Sequence, residues 1–159
     1  MDDVRFINTR FDPDLTGIHD IARQMAAAAG YTAELTVDRV LAQLLRLRVA
    51  QLNPCSYCLI LHTRVAHEIG LSDAKIAHLT SWRESTMFTL QEAAALAYAE
   101  ALTTFDQRAF SHAHARMTEL FDARGIAEIA SVVINMNVWT RLKLAQGAVP
   151  ADAGGAGGD

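Results

Sequence analysis

The chain has 159 residues, of which 51% are hydrophobic and 20% charged, and its formal net charge is −4 at pH 7. This length fits a single domain, and the apolar content predicts that some apolar surface is buried between subunits as well as within one. The acidic balance argues against a nucleic-acid partner. The absence of a long apolar run and of a signal-peptide pattern predicts a cytoplasmic protein with no membrane partner.

Apolar residues recur at helical spacing almost throughout, which predicts an all-α multihelical fold of about six to seven helices. In chain order, the expected helices cover about 14–29, 37–52, 54–69, 72–80, 89–103, 111–121 and 125–146. The second helix has apolar residues on more than one face, so we expect it to lie at the centre. Together these elements predict one domain over residues 1–149, followed by a disordered glycine-rich tail over 150–159.

The two cysteines of the chain lie close together, in the motif Cys55-Ser56-Tyr57-Cys58, with His62 four residues further on. In a chain without an export signal, cysteines at this spacing are more often catalytic or metal-binding than structural. Two thiols within one helical turn can form a disulfide and release it again. The motif therefore predicts thiol redox chemistry.

The pair Asn53-Pro54 predicts the start of the third helix, because Asn is a favoured cap and Pro suits the first helical position. On that helix, Cys55 and His62 would lie within roughly 20° of each other and Cys58 about 60° away, so all three share one stripe. In the first turn, the helix dipole and free N–H groups favour a thiolate at Cys55. Cys58 is deeper, but His62 lies one turn further on and could take its proton.

Gln43 is the expected partner of the imidazole. If the second and third helices pack antiparallel across the turn at residues 53–54, equal rise per residue puts Gln43 level with His62. A glutamine side chain can donate or accept a hydrogen bond, but it cannot carry a proton as a carboxylate does.

Other interpretations of these residues remain open. Cys55 and Cys58 could be small core residues, or they could bind zinc together with His62, although a fourth ligand is not evident. We expect no cofactor and no bound metal. The remaining histidines are expected on solvated helix faces: His19, His67, His78, His112 and His114. Trp82, Phe88 and Trp139 are expected in the core or at an interface.

The segment 44–63, which contains the cysteine motif, resembles the core of the carboxymuconolactone decarboxylase superfamily in its alkylhydroperoxidase D-like branch. Trp82-Arg83-Glu84-Ser85, the helix over 92–103 and the segment 137–142 are similar to the same pattern. The resemblance covers roughly residues 35–147, and the Cys-x2-Cys-x3-His element is its most specific part.

This resemblance implies an all-α fold that assembles as a homotrimer or homohexamer, and a thiol-dependent reductase for small organic hydroperoxides. It implies that Cys58 attacks the peroxide oxygen, that Cys55 then closes the disulfide, and that His62 relays protons. A dithiol reductant, either a lipoyl-type or a thioredoxin-type protein, would regenerate the thiols. We expect Cys55 to be the exposed sulfur that meets this reductant.

The chain departs from the family pattern at one position. The family's relay usually includes a glutamate twelve residues before the first cysteine, and Gln43 occupies that position here. Without the carboxylate of that glutamate, the protein could be a slow peroxidase, a disulfide reductase or an oligomer without redox activity. Two alternatives stay open: a γ-carboxymuconolactone-decarboxylase-like enzyme, by analogy with the family, and a redox-attenuated oligomeric binding module, because of Gln43. The first needs a proton donor at the α-carbon of its substrate rather than a cysteine pair.

Overall fold

The computed structural model describes residues 4–151, which form seven α-helices, two short 3-10 helices and one two-stranded antiparallel sheet. The α-helices are α1 (Ile18–Ala29), α2 (Arg39–Leu52), α3 (Ser56–Glu68), α4 (Asp73–Ala77), α5 (Leu90–Thr104), α6 (Gln107–Leu120) and α7 (Ala123–Gln146). The 3-10 helices are Pro13–Leu15 and Leu79–Glu84, and the strands are β1 (Arg5–Asn8) and β2 (Ala148–Ala151). The predicted all-α class is confirmed.

Helix α2 lies at the centre of the fold, as its apolar pattern predicted. It packs against α3, α5 and α7, and Leu44, Leu45 and Val49 have no exposed surface. A helix that is apolar on several faces must be surrounded by other elements to remove that surface from water. Because α2 is held on several sides, the residues that it directs towards α3 have a fixed position.

Helix α5 begins with a capping box, formed by Thr89 and Glu92. The Thr89 hydroxyl accepts a hydrogen bond from the Glu92 N–H at 3.1 Å, and the Glu92 carboxylate accepts one from the Thr89 N–H at 2.8 Å. The backbone N–H of each residue, which has no partner within the helix, is thus satisfied by the side chain of the other.

The predicted start of α3 is wrong by two residues. Asn53 ends α2, where its N–H donates to the Val49 carbonyl, and Cys55 is the residue that caps α3. The Asn53 side chain binds α7 instead, where its Nδ2 donates to Asn137 Oδ1 at 2.9 Å and to Thr140 Oγ1 at 3.0 Å.

The small sheet was not predicted from the sequence. Arg5 pairs with Ala151 and Phe6 with Pro150, so two residues that the sequence assigned to the tail lie in β2 instead. Strands of four residues are too short to give a clear alternation, and their partners are far apart in the chain. The rest of the predicted tail, 152–159, lies outside the described residues. Within residues 4–151, no helix has both the length and the apolar character needed to cross a bilayer.

Gly30, just after α1, provides a test of how α1 is held against α7. A Cβ atom at this position would lie 2.2 Å from Asn135 Oδ1. We expect Gly30→Ala to lower the free energy of unfolding by about 1–3 kcal/mol, the usual cost of overpacking. Urea unfolding followed by circular dichroism measures it. Gly17→Ala, where nothing lies within 4 Å of the added Cβ, is the matched control, and equal midpoints for the two variants would contradict the packing described here.

Candidate active site

A concave pocket of about 440 Å³ lies between α1, α2, α3 and α7. Cys58 and His62 line it from α3, and Trp139 and Lys143 line it from α7. Cys58 is only 2% exposed, whereas Tyr31 at the same pocket is 40% exposed. The pocket therefore leads from the molecular surface to the buried sulfur.

The two cysteines are free thiols, and their Sγ atoms lie 2.6 Å apart. They are on the same side of the start of α3, so a disulfide between them needs little movement. Cys58 lines the pocket, but Cys55 is not among the lining residues and is 1% exposed. The expectation that Cys55 is the exposed sulfur is therefore wrong, because its position as the cap turns it into the protein.

Cys55 is the better thiolate of the pair. The hydrogen bond from the Cys58 side chain lowers the pKa of Cys55 to about 7, and the Cys58 N–H and the positive charge of Lys143 act in the same direction. That N–H lies 3.3 Å from the Cys55 Sγ. The pKa of Cys58 is raised, because its thiol hydrogen-bonds to Cys55 and because it is buried. The pair thus loses its first proton from Cys55, while Cys58 keeps the second.

Gln43 and His62 are in contact, as the antiparallel geometry of α2 and α3 predicted. Gln43 Nε2 donates to the His62 carbonyl oxygen at 2.8 Å and lies 3.2 Å from His62 Nδ1. Since this amide nitrogen is the donor, Nδ1 accepts its second hydrogen and the ring proton lies on Nε2. The Gln43 Oε1 has no hydrogen-bond partner within residues 4–151.

His62 is a neutral imidazole at physiological pH. Burial disfavours the imidazolium and, together with the positive charge of Arg46, lowers the pKa of His62 to about 3. Among the described residues, His62 makes no hydrogen bond to either sulfur. The proton transfer from Cys58 to His62, expected from their spacing of four residues, is therefore not supported by a direct hydrogen bond. His62 instead shares the pocket with Cys58.

The sequence pattern did not predict several residues that line the pocket. His19, expected at the surface, packs edge-on against Trp139 with a ring-centroid distance of 5.5 Å, and both line the pocket. Tyr31, Arg46, Asn135 and Lys143 also line it. They come from elements before and after the cysteine motif. A sequence signal exists for Asn135, Trp139 and Lys143, which lie one turn apart from each other along α7. Of the other histidines, His67, His112 and His114 are exposed as expected.

The metal-binding alternative gains no support from the structure. In the part of the chain that the structure describes, no group of three or more histidine, cysteine, aspartate or glutamate side chains is arranged to hold a metal ion. His62 Nδ1 is already occupied by the amide of Gln43.

Comparison with known proteins gives the class of this protein. The model of the carboxymuconolactone decarboxylase family matches residues 19–101, more than half of the chain. The protein belongs to that family. The matched segment contains Gln43, Cys55, Cys58 and His62.

Two relatives are named as uncharacterized proteins. The chain is 28% identical to the uncharacterized protein YdfG of Bacillus subtilis (strain 168) over 118 residues, which cover 74% of this chain and 80% of the relative. It is 31% identical to the uncharacterized protein YnjA of Escherichia coli (strain K12) over 110 residues, 69% of this chain and 60% of that protein.

Two crystal structures share the fold. One is ATU0492 of Agrobacterium tumefaciens, named as a protein of unknown function and a candidate antioxidant defence protein AhpD. Its TM-score is 0.73 at 21% identity, over 87% of this chain and 91% of that one. The other is an uncharacterized peroxidase-related protein from Silicibacter sp. TM1040, with a TM-score of 0.68 at 18% identity, over 83% and 69% of the two chains. The fold is therefore alkylhydroperoxidase D-like.

The thiolate of Cys55 can be followed directly by its absorbance near 240 nm during a pH titration. We expect a midpoint at pH about 7, well below the reference value of about 8.5 for a free cysteine. Lys143→Gln should move the midpoint upward because it removes a positive charge, whereas Lys143→Arg should leave it nearly unchanged. The double variant Cys55→Ser, Cys58→Ser gives the background. A wild-type midpoint at the reference value would contradict the lowered pKa of Cys55.

Proposed function

We propose that this protein is a thiol-dependent hydroperoxide reductase in which Cys58 attacks the peroxide and Cys55 closes the disulfide. The observation that carries the proposal is the pair of free thiols 2.6 Å apart, one of which lines a pocket that reaches the surface. Two adjacent thiols can supply the two electrons that reduce a hydroperoxide to an alcohol.

We assign the attack to Cys58 because its sulfur can be reached from the pocket. Cys55 holds the negative charge more readily, but it lies behind Cys58 and away from the pocket. Once the pair has lost one proton, transfer of the remaining proton from Cys58 to Cys55 across the short contact gives a Cys58 thiolate facing the pocket. Cys55 therefore serves as the base for Cys58. It can do so above the pKa at which the cysteine pair loses its first proton.

The chemical steps balance with the two thiols alone. The Cys58 thiolate attacks the terminal oxygen of ROOH, the O–O bond breaks, and the alkoxide takes a proton to leave as ROH. Cys58 is now a sulfenic acid. Cys55 loses its proton and attacks the Cys58 sulfur; the S–S bond forms, the S–O bond breaks, and the hydroxide takes a proton to give water. The sulfurs are oxidised by two electrons and the peroxide is reduced by two.

His62 acts in this proposal as a hydrogen-bond donor. Gln43 holds its Nδ1 as an acceptor, so Nε2–H is available to the pocket where the alkoxide develops. A neutral donor in a buried site stabilises the developing negative charge without a proton having to be removed first. A base role is weaker here, because the lowered pKa of His62 leaves it little tendency to accept a proton.

Turnover needs an external dithiol, and we propose a lipoyl-type or thioredoxin-type protein for this role. In a reducing compartment such as the cytoplasm the resting state would be the dithiol. We also propose a homotrimer or homohexamer, for which the exposed apolar side chains of α1, Ile18 and Ile21, offer a surface.

The first test is stoichiometric. One equivalent of cumene hydroperoxide should remove both titratable thiols of each wild-type chain and release one equivalent of cumyl alcohol. Cys55→Ser should stop at a sulfenic acid on Cys58, which dimedone traps and mass spectrometry locates, and Cys58→Ser should form no alcohol. If both thiols of the wild type remain titratable, the proposed reductase activity is excluded. A sulfenic acid on Cys55 in the Cys58→Ser variant would exchange the two roles.

The second test concerns Gln43. A carboxylate at this position, beside His62 Nδ1, raises the pKa of the imidazole and allows it to exchange protons, so Gln43→Glu should raise turnover on the order of 100-fold. Gln146→Glu is the matched control, because Gln146 is another buried glutamine with an unpartnered Oε1 within residues 4–151, but its amide donates to Asn8 rather than to His62. No gain in turnover would favour the oligomeric binding module over an attenuated enzyme.

A further inference from the structure

The pocket is cationic in a protein that is acidic as a whole. Its lining contains three basic side chains, Arg23, Arg46 and Lys143, and no aspartate or glutamate, although the chain carries a net charge of −4. Arg23 is paired with Asp20 at 2.8 Å. Arg46 and Lys143 have no carboxylate within 4.0 Å among the described residues.

Arg46 is a buried cation without a counter-charge. It is 8% exposed. Its one hydrogen bond within residues 4–151 runs from Nη2 to the Gly30 carbonyl oxygen at 3.3 Å, and its guanidinium lies 5.2 Å from the centre of the Tyr31 ring. Burying a charge without a partner is costly, so a guanidinium in this state has donors to spare for an anion that enters the pocket.

Asn135 adds a second unused donor at the same place. It is 2% exposed, it lines the pocket, and its Nδ2 has no hydrogen-bond partner within the described residues. Its side chain packs directly on Gly30, the residue whose carbonyl binds Arg46. The side chains of Asn135 and Arg46 therefore both contact Gly30, and both residues line the same pocket.

The rest of the lining is largely apolar or aromatic. Leu61, Met136 and Trp139 face the pocket together with Tyr57, over whose ring Lys143 Nζ lies at 4.6 Å. A volume of about 440 Å³ suits a small organic molecule, since ligand pockets usually measure about 300–1,000 Å³. The pocket thus combines an apolar body with donors for a negatively charged group.

We propose that the pocket selects organic hydroperoxides that carry a carboxylate, with Arg46 and Asn135 binding the carboxylate and the apolar wall holding the hydrocarbon part. This inference rests on the proposed function, whose site it specifies further. A carboxylate matches both features, because its two oxygens accept a forked pair of bonds from a guanidinium and a further bond from an amide. Lys143 supplies additional positive charge at the pocket.

Binding is tested without any redox step. The probe is 4-isopropylbenzoate, an unreactive carboxylate of the expected shape, and its methyl ester is the neutral control. Binding is followed by the fluorescence of Trp139 in a Trp82→Phe background. We expect the acid to bind at least about tenfold more tightly than the ester, since hydrogen bonds to charged groups have at least that effect. Equal binding of acid and ester, or binding of neither, would overturn the proposal.

Variants then locate the carboxylate. Arg46→Gln and Asn135→Asp should each remove most of the preference for the acid, the first by loss of the cation and the second by like-charge repulsion at constant shape. Arg116→Gln, which removes an exposed arginine from α6, is the matched control and should keep the preference. If Arg46→Gln does not fold, Asn135→Asp and the wild-type comparison of acid with ester still decide the question. Full retention of the preference in both pocket variants would contradict the assigned residues.

Reactivity separates this inference from the proposed function. The hydroperoxide of 4-isopropylbenzoate should oxidise the two thiols at least about tenfold faster than its methyl ester at low concentration. If both oxidise the thiols at the same rate, the reductase stands and the carboxylate preference fails. If neither oxidises them while 4-isopropylbenzoate still binds, the carboxylate site stands and the reductase fails.

Discussion

A sulfur atom caps α3, and the reactivity of the site depends on this contact. Helix caps are usually oxygen atoms of Ser, Thr, Asp or Asn, which accept a backbone N–H that the helix leaves free. Here the Sγ of Cys55 takes that place and accepts the N–H of Cys58. The same geometry brings the two sulfurs together, favours the negative charge on Cys55, and leaves Cys58 as the sulfur at the pocket.

The second property of the site is that no carboxylate is found among the described residues that line its pocket. A glutamate in place of Gln43 would add a negative charge beside His62, on the same helix as Arg46 and three residues before it. With an amide there, the imidazole stays neutral and the guanidinium stays without a counter-ion. The amide still orients His62, so the arrangement keeps the imidazole in place but removes its basicity. An amide at position 43 is thus consistent both with a neutral imidazole and with the proposed binding of a carboxylate in the pocket.

Much of this site was accessible from local sequence. Residues on one helix keep fixed angular relations, so Cys58 and His62, four residues apart on α3, could be placed on one stripe before any fold was known. Gln43 could be placed beside His62 because two helices joined by a tight turn must run side by side. The capping box of α5 was predictable for the same reason, since its partners are three residues apart.

The chain by itself determined the helical class, the central position of α2 and the composition of the thiol site, because each depends on spacing within or between neighbouring helices. Only the tertiary structure decided that Cys55 rather than Asn53 caps α3, and that the Asn53 side chain binds α7. It also decided which sulfur faces the pocket, and that Arg46 and Asn135 line it. These features depend on contacts between helices far apart in sequence, and periodicity carries no record of such contacts.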